Sequence, residues 1–293
     1  MPIDIRSLEQ HVNRNLSKPL HIETVTPVTG GNICRAYKVR SSTKACFLKT
    51  HEPHMYPMLQ SEADNLRAIA DTETLRVPHP ITHGNTDTYS YLLLEFIELR
   101  TGGSSVALGK LLAGLHRHTQ GDFGWHQDNW IGTAPQPNAR CPDWISFWRH
   151  RRLAYQLDLV KRNHACHSLL DSTERLLCDF DVLFERYSPS PSLLHGDLWS
   201  GNYAFEANGR PVVYDPACYY GDRETDLAMT ELFGGFSQEF YDAYTESYPL
   251  DRDYPVRKDF YNLYHIMNHF NLFGGSYAQQ AEQLCLKVLS EIR

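Results

Sequence analysis

One stretch, Leu193-Leu194-His195-Gly196-Asp197-Leu198-Trp199-Ser200-Gly201-Asn202, constrains this chain more than any other. It sets an Asp and an Asn five positions apart, flanked by apolar residues able to anchor a tight loop. A second acid, Asp215, closes the apolar run Pro211-Val212-Val213-Tyr214. Phosphoryl transfer asks a protein for such parts: a base for the attacking hydroxyl, oxygen ligands for a metal and a cradle for phosphates. Asp197 suits the base, and Asn202 and Asp215 suit Mg²⁺. His-Gly-Asp alone reads equally well as a polar turn between strands. The full spacing and Asp215 tip the reading toward chemistry, and a phosphate loop and a lysine must then lie upstream.

Upstream, residues 21–28 alternate and are β-branched, as a strand requires, and Thr29-Gly30-Gly31-Asn32 is a turn. Residues 36–40 and 45–49 form a hairpin that ends in Lys49. Strand, glycine turn, strand, turn and strand with a terminal lysine is the layout of a nucleotide-covering hairpin. Gly30 and Gly31 let backbone N–H groups approach phosphate oxygens, and Lys49 brings a point charge. A helix over 57–70 buries Leu59, Ala63, Leu66 and Ile69 and carries Glu62, placed to pair with Lys49. Strands at 78–84 and 89–95 run into Phe96-Ile97-Glu98-Leu99 and a Gly-rich stretch, the expected lobe boundary. In a kinase-like fold the backbone of Glu95, Phe96 and Ile97 would meet adenine. Cys34 follows the glycine turn; a packed strand cysteine is preferred to a redox handle, which needs exposure and a lowered pKa.

Beyond the boundary the periodicity turns helical. Helices are expected at 107–119, 143–161, 168–187, 225–232, 236–247, 254–270 and 276–292, with a long aromatic, Pro- and Asn-rich loop over 123–138. The reading is a two-lobed α+β fold, an antiparallel-sheet lobe over 1–98 and a mainly helical lobe over 99–293. A formal charge of −7 argues against nucleic acid as partner. No apolar run reaches the roughly 18 residues of a membrane span, and the N-terminus lacks a signal-peptide core, so a cytoplasmic setting is expected. Seven cysteines without close pairing suggest neither a disulfide framework nor a zinc site. His164 and His167 share a helix face but have no acidic companion at ligand spacing.

Taken together, these segments resemble the fructosamine kinase (ketosamine 3-kinase) family, relatives of aminoglycoside and choline kinases with a protein-kinase-like fold. The likeness covers nearly the whole chain. Besides Gly30-Gly31, Lys49 and Glu62 it rests on Phe123-Gly124, Asn129-Trp130-Ile131-Gly132, Gln136-Pro137-Asn138 and His195 to Asn202. It continues through Tyr219-Tyr220-Gly221-Asp222-Arg223-Glu224-Thr225-Asp226-Leu227-Ala228-Met229 and His269-Phe270-Asn271-Leu272-Phe273-Gly274-Gly275-Ser276-Tyr277. The resemblance implies ATP-dependent phosphorylation of a ketosamine sugar hydroxyl, on a small molecule or a glycated protein, to an unstable ester that breaks down and frees the amine. It assigns Asp197 as base, Asn202 and Asp215 as Mg²⁺ ligands, and Lys49, held by Glu62, as the phosphate lysine. Asp215-Pro216-Ala217 departs from Asp-Phe-Gly, so a switch that depends on that Phe need not apply. Trp199 could stack on the sugar or steady the loop. His269 and Asn271, and the aromatic loop around Trp125 and Trp130, are further substrate candidates. Asp222, Glu224 and Asp226 could attract a protonated amine or cap the helix that follows, Asp226 being the one read as a cap. The rivals are a kinase of another small hydroxylated amine and a non-catalytic ATP-binding protein.

Overall fold

The computed structural model describes residues 3–28, 33–163 and 167–292. The chain forms two compact units, one of residues 1–104 with 204–215 and one of residues 105–203 with 216–293. They are an antiparallel-sheet unit and a mainly helical one, the α+β class that the periodicities imply.

In the first unit the strands β1 (Ile22–Val28), β2 (Arg35–Ser41), β3 (Ala45–His51), β4 (Pro80–Asn85) and β5 (Ser90–Glu95) make one sheet, ordered β1-β2-β3-β5-β4. Neighbours run antiparallel throughout. Side chains alternate faces along a strand. Cys46 and Leu48 of β3 therefore share a face with Val39, Tyr37, Tyr91 and Leu93, and helix α1 (Ile5–Asn13) closes it with Leu8 and Val12. The same alternation turns Lys49 the other way. Helix α2 (Tyr56–Ala70) has a proline in its first turn, where the missing N–H costs nothing. It buries Leu59, Ala63, Leu66 and Ile69 completely. Residues 204–215 join this unit from far along the chain. Phe205 and Arg100 exchange backbone hydrogen bonds of 2.9 and 2.7 Å, and Val213 N–H donates to Arg76 O at 2.9 Å.

The second unit is built of α3 (Ser105–Leu115), α4 (Trp144–Trp148), α5 (Ala154–Arg162), α6 (His167–Asp179), α7 (Glu224–Leu232), α8 (Gln238–Ser247), α9 (Tyr254–Phe273) and α10 (Tyr277–Glu291). Asp143 caps α4 by accepting the Ser146 N–H at 2.7 Å. Gly274, at φ +67°, ends α9. Helix α9 is the hub, with Phe260, Tyr261 and Tyr264 centred 4.9–5.9 Å from the Trp148 ring.

The helix expected over 143–161 is not continuous. A π turn over Arg149–Leu153 separates α4 from α5, and within it Arg152 is wholly buried. The helix expected to reach 187 ends at Asp179 and gives way to a tighter turn over Phe180–Phe184. The loop of residues 123–138 contains a small hairpin, Asn129–Ile131 against Ala134–Gln136. His164 lies outside the described residues, and His167 opens α6. Among the described residues no helix is long and apolar enough to cross a membrane.

Candidate active site

In the first unit, Lys49 on β3 is almost wholly buried. Its Nζ donates to Glu62 Oε1 at 2.7 Å and pairs with the Asp215 carboxylate. Burial pulls the Lys49 pKa down, but Asp215 and Glu62 outweigh it and hold the ammonium above its ordinary value. Burial pushes Glu62 up, with the Asp215 charge adding to it against the pull of Lys49. Asp215 sits at φ +59°, a left-handed conformation rare outside glycine, and its side chain is 45% exposed. Gly30 and Gly31 lie outside the described residues. Cys34 lies near this charged trio, and burial pushes its thiol up to about 12, so it is held protonated.

Glu95 closes β5. Its carboxylate pairs with Arg76 and accepts the His79 N–H at 3.3 Å, while its own N–H donates to His79 O at 2.9 Å. The Glu95 N–H is thus used within the fold. Phe96 and Ile97 are half-buried, and Lys38 Nζ lies 4.0 Å from the Phe96 ring centre.

In the second unit the stretch from His195 to Asn202 is a closed loop. Asn202 Nδ2 donates to Asp197 O (2.8 Å) and Asp197 Oδ2 (3.1 Å), which leaves the Asn202 Oδ1 lone pairs for a cation. That contact is the physical content of the five-residue spacing. Gly196 adopts φ +83°, and a Cβ there would stand 2.0 Å from Ala217 O. Only glycine tolerates both conditions.

Asp226, read as a helix cap, does something else. Its carboxylate accepts the N–H groups of His195 (2.7 Å) and Gly196 (2.8 Å), and His116 Nε2 lies 3.1 Å away. Burial raises the Asp226 pKa, but His116 and the loop N–H groups outweigh it and keep the carboxylate below its usual range. Neither His116 nor this use of Asp226 was expected. The only sequence signal is the apolar stripe of α3 running into a histidine.

Asp222 and Glu224 are not available to an amine. Asp222 is completely buried and accepts from Tyr261 OH (2.5 Å), Tyr187 OH (2.9 Å) and Glu224 N–H (3.0 Å). Glu224 takes a two-pronged bond from Arg257 at 2.7 and 3.0 Å. Asn271 likewise serves the fold, donating to Gln156 O and Oε1 and accepting from Asn163. Trp199 and His269 do share a surface, through Phe233. Trp199 meets Phe233 edge-on at 6.0 Å, Phe233 lies 4.8 Å from His269, and His269 lies 5.7 Å from the exposed Phe273. Phe233 was missed, although Phe233-Gly234-Gly235-Phe236 marks an aromatic turn.

A profile of the fructosamine kinase family matches residues 5–291. A probable ketoamine kinase of Synechocystis is 42% identical, with 98% of each chain covered. The chloroplastic protein-ribulosamine 3-kinase of Oryza sativa subsp. japonica is 39% identical over 90% of this chain and 78% of its own. Among solved structures, one from Haemophilus somnus that carries a fructosamine-3-kinase name superposes with a TM-score of 0.88 at 28% identity, covering 96% of each chain.

Proposed function

The chain belongs to the fructosamine kinase family, and on that premise we propose that it moves the γ-phosphoryl group of ATP to a sugar hydroxyl of a ketosamine. The observation that carries the reading is the Asp197–Asn202 loop, held by Asp226 in the helical unit; the sheet unit separately carries the buried Lys49–Glu62–Asp215 trio. Lys49 supplies positive charge to a phosphate, and Glu62 keeps it aimed. Asp197 accepts the hydroxyl proton as the sugar oxygen attacks phosphorus. The bond from phosphorus to the bridging oxygen breaks, and ADP leaves with that electron pair.

Taken singly, each of the two donors assigned to Mg²⁺ suits it, since that ion favours hard oxygen ligands. Asp215 offers a part-exposed carboxylate and Asn202 an amide oxygen not engaged by its own hydrogen bonds. When bound, the metal would neutralise charge on the phosphates. Trp199, Phe233 and His269 are the side chains we assign to the acceptor, and Phe96 and Ile97 to the adenine side. The expected setting is the cytoplasm.

The ribulosamine name of the rice relative makes ribulosamines, free or on protein, the first acceptors to try. The test is ADP release with Mg²⁺-ATP and ribulosamine, fructosamine, aminoglycoside and choline acceptors. Turnover on the ketosamines alone supports the reading. Turnover on only the other two would move the acceptor class, and silence on all four would overturn catalysis on this set.

A further inference from the structure

Beneath the loop that bears Asp197 lies a set of buried amides to which the reaction above gives no task. Asn129, Gln136 and Asn138 come from the loop of residues 123–138, yet each is at most 1% exposed. Loop amides ordinarily face water. Their hydrogen bonds run in one direction. Arg152 donates to Asn138 Oδ1 (2.7 Å), Asn138 Nδ2 to Asn129 Oδ1 (2.8 Å), and Asn129 Nδ2 to Cys218 O (2.7 Å). In parallel, Tyr264 OH donates to Gln136 Oε1 (2.9 Å), and Gln136 Nε2 donates to Asn129 Oδ1 (2.8 Å) and Ala217 O (3.2 Å). A guanidinium can only donate, so it sets which way each amide in its chain points. Bonds aligned head to tail strengthen one another.

The carbonyls that receive these bonds belong to the segment on which the Asp197 loop is laid. Ala217 N–H donates to His195 O at 2.8 Å, and Leu194 N–H donates to Tyr219 O at 3.0 Å. The Ala217 carbonyl is also the group that requires glycine at position 196. At the other end, Arg152 is wholly buried, between Tyr219 (4.0 Å) and Phe147 (4.7 Å), with no carboxylate partner among the described residues. A buried cation without an anion is costly. Apolar residues of similar volume would often serve stability as well or better, so such a group points to a geometric duty.

We propose that Asn129, Gln136 and Asn138, aimed by Arg152 and Tyr264, are positioning residues for phosphoryl transfer. They hold the Ala217 and Cys218 carbonyls, and through that segment they hold the backbone of residues 194–197. Their effect on turnover rests on the kinase reading of Asp197; their effect on backbone order does not.

Two variants test this. Gln136→Glu keeps the shape and removes both N–H donors, while Tyr264→Phe removes one hydroxyl and keeps the ring. Turnover per native molecule should fall about 10–100-fold in Gln136→Glu and about 3–10-fold in Tyr264→Phe, with KM for ATP within about 2-fold. Amide hydrogen exchange at Ala217, read without substrate, should quicken about 10-fold or more in both. A purely structural network would lower Tm but leave kcat per native molecule untouched. That result, or unchanged exchange at Ala217, overturns the proposal, and Tyr264→Phe decides alone if Gln136→Glu fails to fold. Absence of turnover in the wild type would count against the reaction, with the exchange measurement still deciding the network.

Discussion

Asp197 carries the proposed proton transfer, and its backbone is held from two sides. Asp226 accepts the N–H groups of His195 and Gly196, and Asn202 Nδ2 donates to the main-chain oxygen and one carboxylate oxygen of Asp197. Loss of a general base typically slows a reaction about 10²–10⁴-fold. Asp197→Asn should therefore lose about that much kcat while melting within a few degrees of wild type; near-normal turnover would remove Asp197 from the role. Gly196→Ala tests the loop rather than the base. A non-glycine left-handed residue costs about 1–3 kcal/mol, before the clash with Ala217 O is counted. Denaturant unfolding should show at least that loss, and a fully stable Gly196→Ala would contradict the close approach. Local spacing made Lys49, Glu62, Asp197 and Asn202 legible as candidates, because one strand, one helix and one loop fix where they point. The acids of residues 222–226 were not legible in this way. Their partners Tyr187, Tyr261, Arg257 and His116 lie 33 or more residues away in sequence, and nothing local says that an aspartate will be buried.

Helix α9 shows what an element adds to its residues. Its proline start and glycine end are plain in sequence, and so is its apolar stripe. What the stripe cannot say is that the helix is surrounded, so that His265 is only 3% exposed. Burial pushes its pKa down from 6.5 to about 3, with His269 adding to the effect. The sign follows directly. The unfolded histidine binds its proton below about 6.5 and the folded one only below about 3, so unfolding takes up a proton between these values. Stability from this group is complete above pH 6.5 and is lost as pH falls toward 3. The loss is about 1.4 kcal/mol per pH unit, or roughly 3–6 °C in Tm for a chain of this size. Burial also lowers the His116 pKa, against the pull of Asp226, and that shift acts in the same direction. His265→Phe should flatten the fall of Tm between pH 6.5 and 4.5, read by thermal melts; an unchanged slope would mean that His265 does not titrate in unfolding. The break between α4 and α5 was illegible for a related reason. Residues 143–161 contain no proline or glycine to mark a break, and the burial of Arg152 within the π turn is set by packing that the local sequence does not show.

At the scale of the whole molecule, the chain order and the packing order disagree. Residues 204–215 leave the helical part of the sequence and join the sheet unit, bringing Asp215 to Lys49. No periodicity announces this return. It depends on backbone bonds to Arg100 and Arg76 and on the approach of Glu206 to Arg76, at 3.6 Å, all between segments some hundred residues apart. One consequence is that Asp215 ties nucleotide binding to the stability of the sheet unit. A ligand present at 100 times its Kd stabilises a folded protein by about 2.7 kcal/mol. For a chain of this length that is roughly 5–10 °C in Tm. Mg²⁺-ATP should therefore raise Tm by about that much, and ATP with a chelator by clearly less, since the metal-dependent part is missing. Asp215→Asn should abolish the difference between the two conditions while keeping the smaller shift, because Lys49 and Glu62 remain paired without it. If Asp215→Asn responds to Mg²⁺ as the wild type does, the metal is held elsewhere, and Asp215 serves only to neutralise Lys49.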